Sequence, residues 1–424
     1  MPGPLEGVRV LEFTEIIAGP FGGMLLADMG ADVIKVEPPW GDPWRYAQPF
    51  LPNESKTFIG VNRGKRSLPL DMGKPEAKEI VGRLVPDMDV VLVNSRPDVP
   101  AKLGIDYPTL SKLNPRLIYC ENTAFGRKGP HSHRPGYDII AQAMTGLMAA
   151  EGKILNGVPQ QIQSTPVADF GTGIAMAWGI CAALYNRERT GKGQKIESTL
   201  LATGLSFQPY RFLQVSDYDD QARREMLETI EALRESGASY DEVYAYYSQF
   251  RIVSLRVGNI YYRTYQAKDG ALAVGCLSDP LRKRLAGVLG LRDIRFESGY
   301  DASSDKARQF GEELVRKAEA KFREKTVTEW LTLLDEAGVP AGPVKFVEEL
   351  LEDEQVRANG LVTSLRHTLA GETRSVGPMV QMSETPLSPE RSSPALGEHT
   401  DEILGGLGYS PEQIEVLRSS GVTR

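Results

Sequence analysis

The chain has 424 residues, of which 41% are hydrophobic and 25% charged, and its formal net charge is −7. The length predicts two or three domains, and the composition is typical of a globular protein with ample material for a core. The negative charge argues against nucleic acid or an anionic membrane as the main partner. No secretory signal and no run of about 18 apolar residues is evident, so we expect a cytoplasmic protein without a membrane partner.

Alternating strands and helices are predicted for the first half of the chain. The predicted strands cover residues 8–13, 31–37, 89–94, 116–122 and 194–199, and the predicted helices cover 21–29, 74–84, 107–113, 136–149 and 170–187. This alternation indicates βαβ units and therefore a doubly wound α/β domain with a parallel sheet. Ligands of such sheets bind in the loops at the carboxyl ends of the strands.

The pattern changes after residue 213, where a polar helical segment begins. Residues 258–276 predict a β-hairpin around Asp269-Gly270, because Asp-Gly between two strand-like runs is a strong hairpin signal. Predicted helices follow at 279–289, 303–322 and 326–337, then strand-like segments at 361–366 and 373–377, a Pro/Ser-rich connector at 383–395 and two short helices. We therefore divide the chain into residues 1–213, a helical linker or insertion at 214–257, a small domain at 258–345 and a C-terminal part at 346–424.

Several common cofactor sites are absent from the sequence. The loop after the first strand reads TEIIAGPFGG rather than G-x-G-x-x-G, and neither a Walker A motif nor a G-x-S-x-G motif occurs. The cysteines, Cys120, Cys181 and Cys276, form no metal-like cluster and are interpreted as reduced core residues. No tightly bound cofactor and no metal are expected, so the chemistry must come from a carboxylate and from the strand-end loops.

Asp169 is the strongest candidate for that carboxylate. It follows Pro166 and precedes two glycines and a long apolar run, which places it at or near a helix N-terminus. Unpaired backbone N–H groups and the helix dipole favour a charged carboxylate there. The alternative is that Asp169 is only a helix cap, as most aspartates in this position are. The neighbouring Gly171 and Gly173 lack side chains, so we expect the backbone to approach the reacting centre closely there.

Three loops are candidates for ligand contacts. Asn62–Ser67 is basic, and its Lys65 and Arg66 are either phosphate ligands or parts of a solvated surface loop. The segment 94–96, Asn94-Ser95-Arg96, directly follows a predicted buried strand, which favours a ligand-contacting role. Tyr137 and Asp138 precede a helix; the tyrosine is suited to line a site, and the aspartate is alternatively a first-turn carboxylate.

An ordered set of segments resembles the family III CoA-transferases, the formyl-CoA/carnitine CoA-transferase (CaiB/BaiF) type, a group that also contains α-methylacyl-CoA racemases. The matching segments are AGPFGGMLLADMGADVIKVEPPWGDPWR (18–45), NRGKRSLPLD (62–71), VNSRPDV (93–99), LGIDYPTLSKLNPRLIY (103–119), RPGYDIIAQAMTGLM (134–148), ADFGTG (168–173), RTGKGQKIESTL (189–200), AGVPAGPV (337–344) and LGEHTDEIL (396–404). No single segment is decisive, but the ordered set is specific.

The resemblance implies an interlocked homodimer, each subunit having a Rossmann-like large domain built from both chain ends and a smaller inserted α+β domain. It implies transfer of CoA from an acyl-CoA to a small carboxylic acid, with CoA as substrate and product, through an aspartyl-CoA thioester on Asp169. Tyr137 and Asp138 match the family's other active-site residues. The family's CoA contacts match Ile17, Leu70, Asn94, Ser95, Arg96 and Lys102, with Lys65 and Arg66 as further phosphate candidates.

Two departures from the family pattern bear on the substrate. Oxalate-acting members have a glutamine where this chain has Ile17, and their run of consecutive glycines is missing, its nearest counterpart being residues 253–259. A formate and oxalate pair is therefore not expected. Two alternative functions stay open: racemisation of an α-methylacyl-CoA, for which Tyr137 replaces the relatives' histidine and is a poor base at neutral pH, and non-catalytic CoA binding.

Overall fold

The computed structural model describes residues 2–249, 259–297 and 305–424. The chain divides into two compact units. One comprises residues 1–221 together with 354–424, and the other comprises residues 222–353. The first unit contains the sheet and all candidate site residues.

A six-stranded parallel sheet forms the centre of the first unit. Its strands are β1 (Arg9–Phe13), β2 (Asp32–Glu37), β5 (Lys65–Pro69), β6 (Val90–Val93), β7 (Ile118–Thr123) and β10 (Gln194–Thr199). They are ordered β10-β7-β6-β1-β2-β5, and every neighbouring pair is parallel. This is the 3-2-1-4-5-6 order of the Rossmann fold, in which the connections reverse direction between β1 and β6. The predicted α/β class and the parallel sheet are confirmed.

Helices cover both faces of this sheet. The first unit contains α1 (Ala18–Asp28), α3 (Pro75–Leu84), α4 (Val99–Leu103), α5 (Tyr107–Leu113), α6 (Asp138–Met144), α7 (Leu147–Glu151), α8 (Val167–Thr190), α9 (Leu200–Ser206), α10 (Pro209–Phe212), α16 (Glu354–Ala358), α17 (Thr400–Gly406) and α18 (Pro411–Ser419). Helices α3, α5, α17 and α18 contribute buried side chains to one core cluster, and α1 and α8 contribute to the other. Residues 403–422 thus complete a core that begins at Leu11. The predicted helix 136–149 is two helices, because Gly146 adopts a positive φ of 80° between them.

Short elements that the sequence did not reveal lie between β2 and β5. They are a 3₁₀ helix (Pro43–Tyr46), β3 (Pro49–Leu51), β4 (Glu54–Ser55) and α2 (Lys56–Ile59). The first unit also contains two small antiparallel pairs. Strand β8 (Ile154–Leu155) pairs with β9 (Val158–Pro159), and β14 (Val362–His367) pairs with β15 (Gly371–Val376).

The second unit has its own core. Strands β11 (Tyr262–Gln266), β12 (Ala271–Gly275) and β13 (Ala341–Pro343) form an antiparallel sheet, and the β11–β12 pair is the hairpin that Asp269-Gly270 predicted. Its helices are α12 (Tyr240–Ser248), α13 (Asp279–Leu289), α14 (Asp305–Phe322) and α15 (Val327–Glu336), while α11 (Ser216–Glu235) begins in the first unit. Tyr265 stacks on Phe322 with ring centroids 4.0 Å apart, inside this core.

Among the helices of the described residues, one, α8, is long and apolar enough to cross a membrane, judged by length and composition alone. A buried core helix passes the same test, so the expectation of no membrane-spanning segment stays a prediction. In this fold Met176 and Ile180 of α8 are fully buried in the core beside the sheet.

Glycines let α8 pack closely against its neighbours. A Cβ on Gly173 would lie 2.8 Å from the carbonyl oxygen of Ala18 in α1, and one on Gly171 would lie 2.7 Å from the Thr203 methyl group in α9. The Phe21 and Phe170 rings pack edge to face at the same junction, 4.8 Å apart. Both glycines therefore allow α8 to pack closely on its neighbours, and a close approach of this backbone to the reacting centre stays a prediction.

We expect Gly173→Ala to lower the free energy of unfolding by about 1–3 kcal/mol, because the added methyl group meets backbone atoms that must shift. Gly82→Ala is the matched control: Gly82 lies inside α3 with no atom within 4 Å of an added Cβ. That change should raise the free energy of unfolding by about 0.5–1 kcal/mol. Thermal unfolding monitored by circular dichroism measures both. Equal stabilisation by the two substitutions would contradict the close packing of α1 on α8.

Candidate active site

Two loops meet at the carboxyl ends of β1 and β6, where the strand order reverses. The Asn94 side chain joins them: its Oδ1 accepts a hydrogen bond from the Glu15 backbone N–H at 2.9 Å, and its Nδ2 donates to the Glu15 carbonyl at 2.8 Å. Both bonding groups of the amide are therefore used to clasp the loops together. Crevices at such a reversal point are where ligands of doubly wound sheets bind.

The loop after β1 is held in a strained conformation. Ile16 has φ 72°, a left-handed backbone conformation that is rare for a β-branched residue. Its N–H donates to both carboxylate oxygens of the buried Asp42 at 3.3 Å. The buried Lys35 ammonium donates to the Thr14 carbonyl at 2.6 Å and pairs with Asp42 at 3.0 Å. Side chains from β2 and the following loop therefore fix the position of Ile16 and Ile17.

A cavity of about 530 Å³, called here the first cavity, opens between these loops. Its walls include the loops that follow β1, β5, β6 and β7. Ser95 and Asn122 line it, and the Ser95 hydroxyl and the Asn122 Oδ1 are both buried without a hydrogen-bond partner among the described residues. Buried polar groups are normally paired, so these two atoms are free to bind a ligand.

Asp169 lies in the first turn of α8 and lines the first cavity. The helix is capped at Pro166 without a side-chain hydrogen bond, so Asp169 is not the cap. Burial raises the pKa of the Asp169 carboxyl to about 7, and the nearby Asp138 carboxylate adds to the effect. Its oxygens accept no hydrogen bond from the described residues, which leaves the carboxylate available for chemistry.

Asp138 organises the start of α8. Its Oδ1 accepts hydrogen bonds from the backbone N–H groups of Ala168 at 2.7 Å and Asp169 at 3.2 Å, and its Oδ2 accepts one from Gln142 at 2.5 Å. The carboxylate thus satisfies N–H groups that a helix N-terminus leaves unpaired. Asp138 is buried and fixes the backbone of Asp169.

A second cavity, of about 580 Å³, reaches Asp169 from another side. Ile16, Ile17, Tyr137 and Asp169 line both cavities. Most of the remaining wall of the second cavity is apolar, and its polar members include Lys56, Thr57, Asp138 and Gln161. Asp169 therefore stands where the two cavities meet.

The family model described as CoA-transferase family III matches residues 5–400. The chain belongs to CoA-transferase family III. Its similarity to individual members extends over nearly the whole chain. A succinyl-CoA:glutarate CoA-transferase from Mus musculus is 34% identical over 99% of this chain and 90% of its own length. A succinate–glutarate CoA-transferase from Agrobacterium fabrum is 36% identical over 95% and 96%.

An oxalate-acting member and a solved structure complete the comparison. A formyl-CoA:oxalate CoA-transferase from Rhodopseudomonas palustris is 31% identical over 99% of this chain and 97% of its own length. The crystal structure of a CAIB/BAIF family protein from Brucella suis has a TM-score of 0.74 and 31% identity, covering 96% of this chain and 100% of that one. The relatives are named CoA-transferases, so this chain is an enzyme of that kind, acting on CoA thioesters.

The structure of this CoA-transferase brings together most of the residues predicted from sequence. The predicted CoA contacts in the first cavity are Ile17, Leu70, Asn94, Ser95 and Arg96. Lys102 lines neither cavity described here; its ammonium pairs with Asp98 at 2.6 Å, and Arg96 lies 3.5 Å from the same carboxylate. Tyr137 is 64% exposed and caps α6.

The prediction of a basic phosphate loop at Asn62–Ser67 was wrong. Most of this segment is the edge strand β5 and the turn before it. Lys65 is buried, and its ammonium is bound by Glu12 at 2.8 Å, the Pro20 carbonyl at 2.8 Å and Asn62 at 2.8 Å, so no donor is left for a phosphate. Burial lowers the pKa of Lys65 to about 8 against the opposing effect of Glu12.

Arg66 is likewise occupied. Its guanidinium binds Asp32 at 2.8 Å and Glu402 at 2.9 Å, and it lines neither cavity. Both basic side chains thus neutralise acidic groups of the protein. Residues 253–258, most of the predicted counterpart of the relatives' glycine run, lie outside the described residues.

Several cavity residues were missed at the sequence level. Trp44, Lys56 and Gln161 line the second cavity, and Glu15 lines the first, where burial raises the pKa of its carboxyl and Asp42 adds to the effect. The segment from 43 to 61 shows no helix or strand periodicity long enough to be interpreted, so no local signal pointed to it.

At pH values above 7, Asp169→Asn should unfold at a higher temperature than wild type, because folding of the variant no longer removes an ionised carboxylate from water. The Asp169 pKa is about 7 in the folded state and near 3.8 when unfolded, so the loss of wild-type stability grows between these two pH values and is complete above pH 7. The difference between variant and wild type should be largest at pH 8 and shrink toward pH 4. A difference independent of pH would contradict the assignment. Asp87→Asn, at an exposed aspartate, is the control.

Proposed function

We propose that this chain moves CoA from an acyl-CoA donor to a small carboxylic acid through a covalent aspartyl-CoA thioester on Asp169. One observation carries the proposal: a half-buried carboxylate without hydrogen-bond partners among the described residues lies in the first turn of α8, where two cavities meet. We assign CoA to the first cavity and the acyl and acid groups to the second.

Transfer on a single carboxylate balances without an external acid or base. The Asp169 carboxylate attacks the thioester carbonyl carbon, and CoA leaves as a thiolate, which forms an acyl–aspartyl anhydride. The thiolate attacks the Asp169 acyl carbon and releases the donor acid as a carboxylate. The acceptor carboxylate then attacks the Asp169 acyl carbon and displaces the CoA thiolate, so that a second anhydride forms. The thiolate finally attacks the acceptor's acyl carbon and releases Asp169 as a carboxylate. Acceptor-CoA and the free Asp169 carboxylate result.

The surroundings of Asp169 suit a nucleophile. The ionised form is the attacking species, and burial with a pKa of about 7 leaves a carboxylate that is more basic than one in water. Asp138 is proposed as a positioning residue rather than a reactant, because backbone N–H groups and Gln142 occupy its oxygens. Tyr137 forms an exposed wall common to both cavities.

Asp169→Ala should abolish CoA transfer while leaving far-ultraviolet circular dichroism unchanged. Wild type incubated with acyl-CoA should react with hydroxylamine at Asp169, giving a hydroxamate that peptide mass spectrometry locates. Asp87→Ala, at an exposed aspartate that lines neither cavity, is the matched control and should keep full activity. Transfer by Asp169→Ala at the wild-type rate would refute the mechanism. Exchange of the α-proton of a 2-methylacyl-CoA in deuterated water, without transfer to any acid, would favour a racemase instead.

We also propose that the enzyme is a homodimer. Ile174, Trp178 and Tyr185 are spaced 4 and 7 residues apart and therefore share one face of α8, where they are 42%, 75% and 68% exposed. Further along the first unit, Tyr210 and Phe212 are 85% and 69% exposed. Exposed apolar surfaces of this kind mark protein–protein contacts.

Sedimentation velocity at micromolar concentration should therefore show a species of twice the chain mass. Trp178→Asp, which places a charge on the exposed α8 face, should weaken the dimer, whereas Leu369→Asp at an exposed apolar residue of the β14–β15 turn should leave it intact. An active wild-type monomer under these conditions would end this proposal.

A further inference from the structure

Asn122 is a buried side-chain amide without a hydrogen-bond partner among the described residues. It lies near the carboxyl end of β7 and is only 5% exposed. Its Oδ1 is closed off from solvent and accepts no hydrogen bond, and its Nδ2 donates to no described residue. Buried amide groups are normally paired, because removing one from water without a partner costs free energy. An unpaired amide in this position indicates a ligand-binding role.

Strand β7 directs this amide into the first cavity. Side chains alternate between the two faces of a strand, so Asn122 shares a face with Ile118 and Cys120. Ile118 and Cys120 pack in the core cluster to which α8 contributes, and α8 carries Asp169 in its first turn. Beyond Cys120 this face of the strand leaves the core, and Asn122 and Asp169 both line the first cavity.

Two other asparagines beside the same strands have the hydrogen bonds of structural amides. Asn94 uses both groups of its amide to join the loops after β1 and β6. Asn114, just before β7, donates from Nδ2 to the Met88 carbonyl at 2.7 Å and accepts at Oδ1 from the Arg116 N–H at 3.0 Å. Asn122 has neither kind of bond, so a structural role does not account for it.

The chemistry of the first cavity matches the pantetheine arm of CoA. That arm is an uncharged chain of methylene groups interrupted by secondary amides. The cavity wall includes Ile17, Leu70 and Leu200, which suit the methylene groups. The Asn122 amide offers one acceptor and two donors, which complement the N–H and the C=O of a secondary amide. A phosphate presents acceptors alone and would leave the Oδ1 of Asn122 unpaired.

We propose that Asn122 binds an amide of the pantetheine arm of CoA. This inference rests on the proposed function, in which CoA occupies the first cavity. Turning the Asn122 amide about its Cβ–Cγ bond exchanges its oxygen and nitrogen, so either end can meet the arm. Asn122 acts in binding and takes no part in the bond changes at Asp169. The arm thus restores hydrogen bonds that folding removes from this side chain.

Isothermal titration calorimetry with CoA and with 3′-phosphoadenosine 5′-diphosphate, the nucleotide part of CoA without the arm, tests the assignment. Asn122→Leu keeps the approximate size of the side chain and removes its polar groups, so it should weaken CoA binding about 10-fold. Binding of the nucleotide should be unchanged. The free variant should also unfold at a higher temperature than wild type, because an unpaired buried amide has been removed. Should Asn122→Leu fail to fold, Asn122→Ala removes the same groups without adding apolar volume and should show the same selective loss of CoA affinity.

Asn114→Leu is the matched control, at the other end of β7. Its amide is hydrogen-bonded to the protein, so this variant should unfold at a lower temperature than wild type. Asn114 lines neither cavity, and the variant should bind CoA as wild type does. The two asparagines are therefore expected to change stability in opposite directions.

Three results would overturn the inference. They are equal CoA affinity of wild type and the Asn122 variants, an equal loss of affinity for CoA and for the nucleotide, and a fall in kcat for transfer with unchanged CoA affinity, which would place Asn122 in the chemical step. The proposed function is judged separately. Transfer by Asp169→Ala at the wild-type rate would refute the aspartyl thioester, whereas the comparison of CoA with the nucleotide still decides what Asn122 binds.

Discussion

Buried charge at the carboxyl ends of β1 and β2 is the constraint on which the site depends. Glu12 and Lys35 are register partners on these strands, both fully buried, and Glu12 also binds Lys65 from β5. Burial opposes protonation of Lys35, but Asp42 and Glu12 outweigh it and raise its pKa. Removing one member would leave another charge buried and unpaired, which typically costs about 3–5 kcal/mol. The cluster holds Asp42 against Ile16 and so shapes the crevice at the strand reversal.

The same balance of charge sets the properties of the carboxylate at the start of α8. The Oδ1 atom of Asp138 accepts hydrogen bonds from the backbone N–H groups at the helix start, where an anion is stabilised, and this places a second carboxylate beside Asp169. The Asp169 carboxylate is partly removed from water and accepts no hydrogen bond from the described residues, which raises its pKa to about 7. Its ionisation therefore destabilises the folded protein at neutral pH. Raised pKa values that lower stability in this way are typical of functional sites.

The basic residues Lys65 and Arg66 were predicted incorrectly because their partners are distant in sequence. Asp169 and the loop at Asn94 were recognisable because short local patterns, a helix start and a strand end, place them. Lys65 and Arg66 looked equally suited to phosphates, yet their partners lie 53 and 34 residues away along the chain. A basic run gives the same local signal whether it faces solvent or neutralises buried acids, so only the tertiary contacts distinguish the two.

Periodicity in the sequence by itself determined the alternation of strands and helices, the parallel sheet and the position of Asp169 at the start of a long helix, because these follow from interactions between residues near one another in the chain. The ordered segments determined the family. Tertiary structure alone decided which charges are buried, how the strained Ile16 is held and that two cavities meet at Asp169. It also placed Asn122 in the first of them, although 47 positions separate Asn122 from Asp169. Burial and electrostatic pairing depend on residues brought together from distant strands and helices, and no local pattern records them.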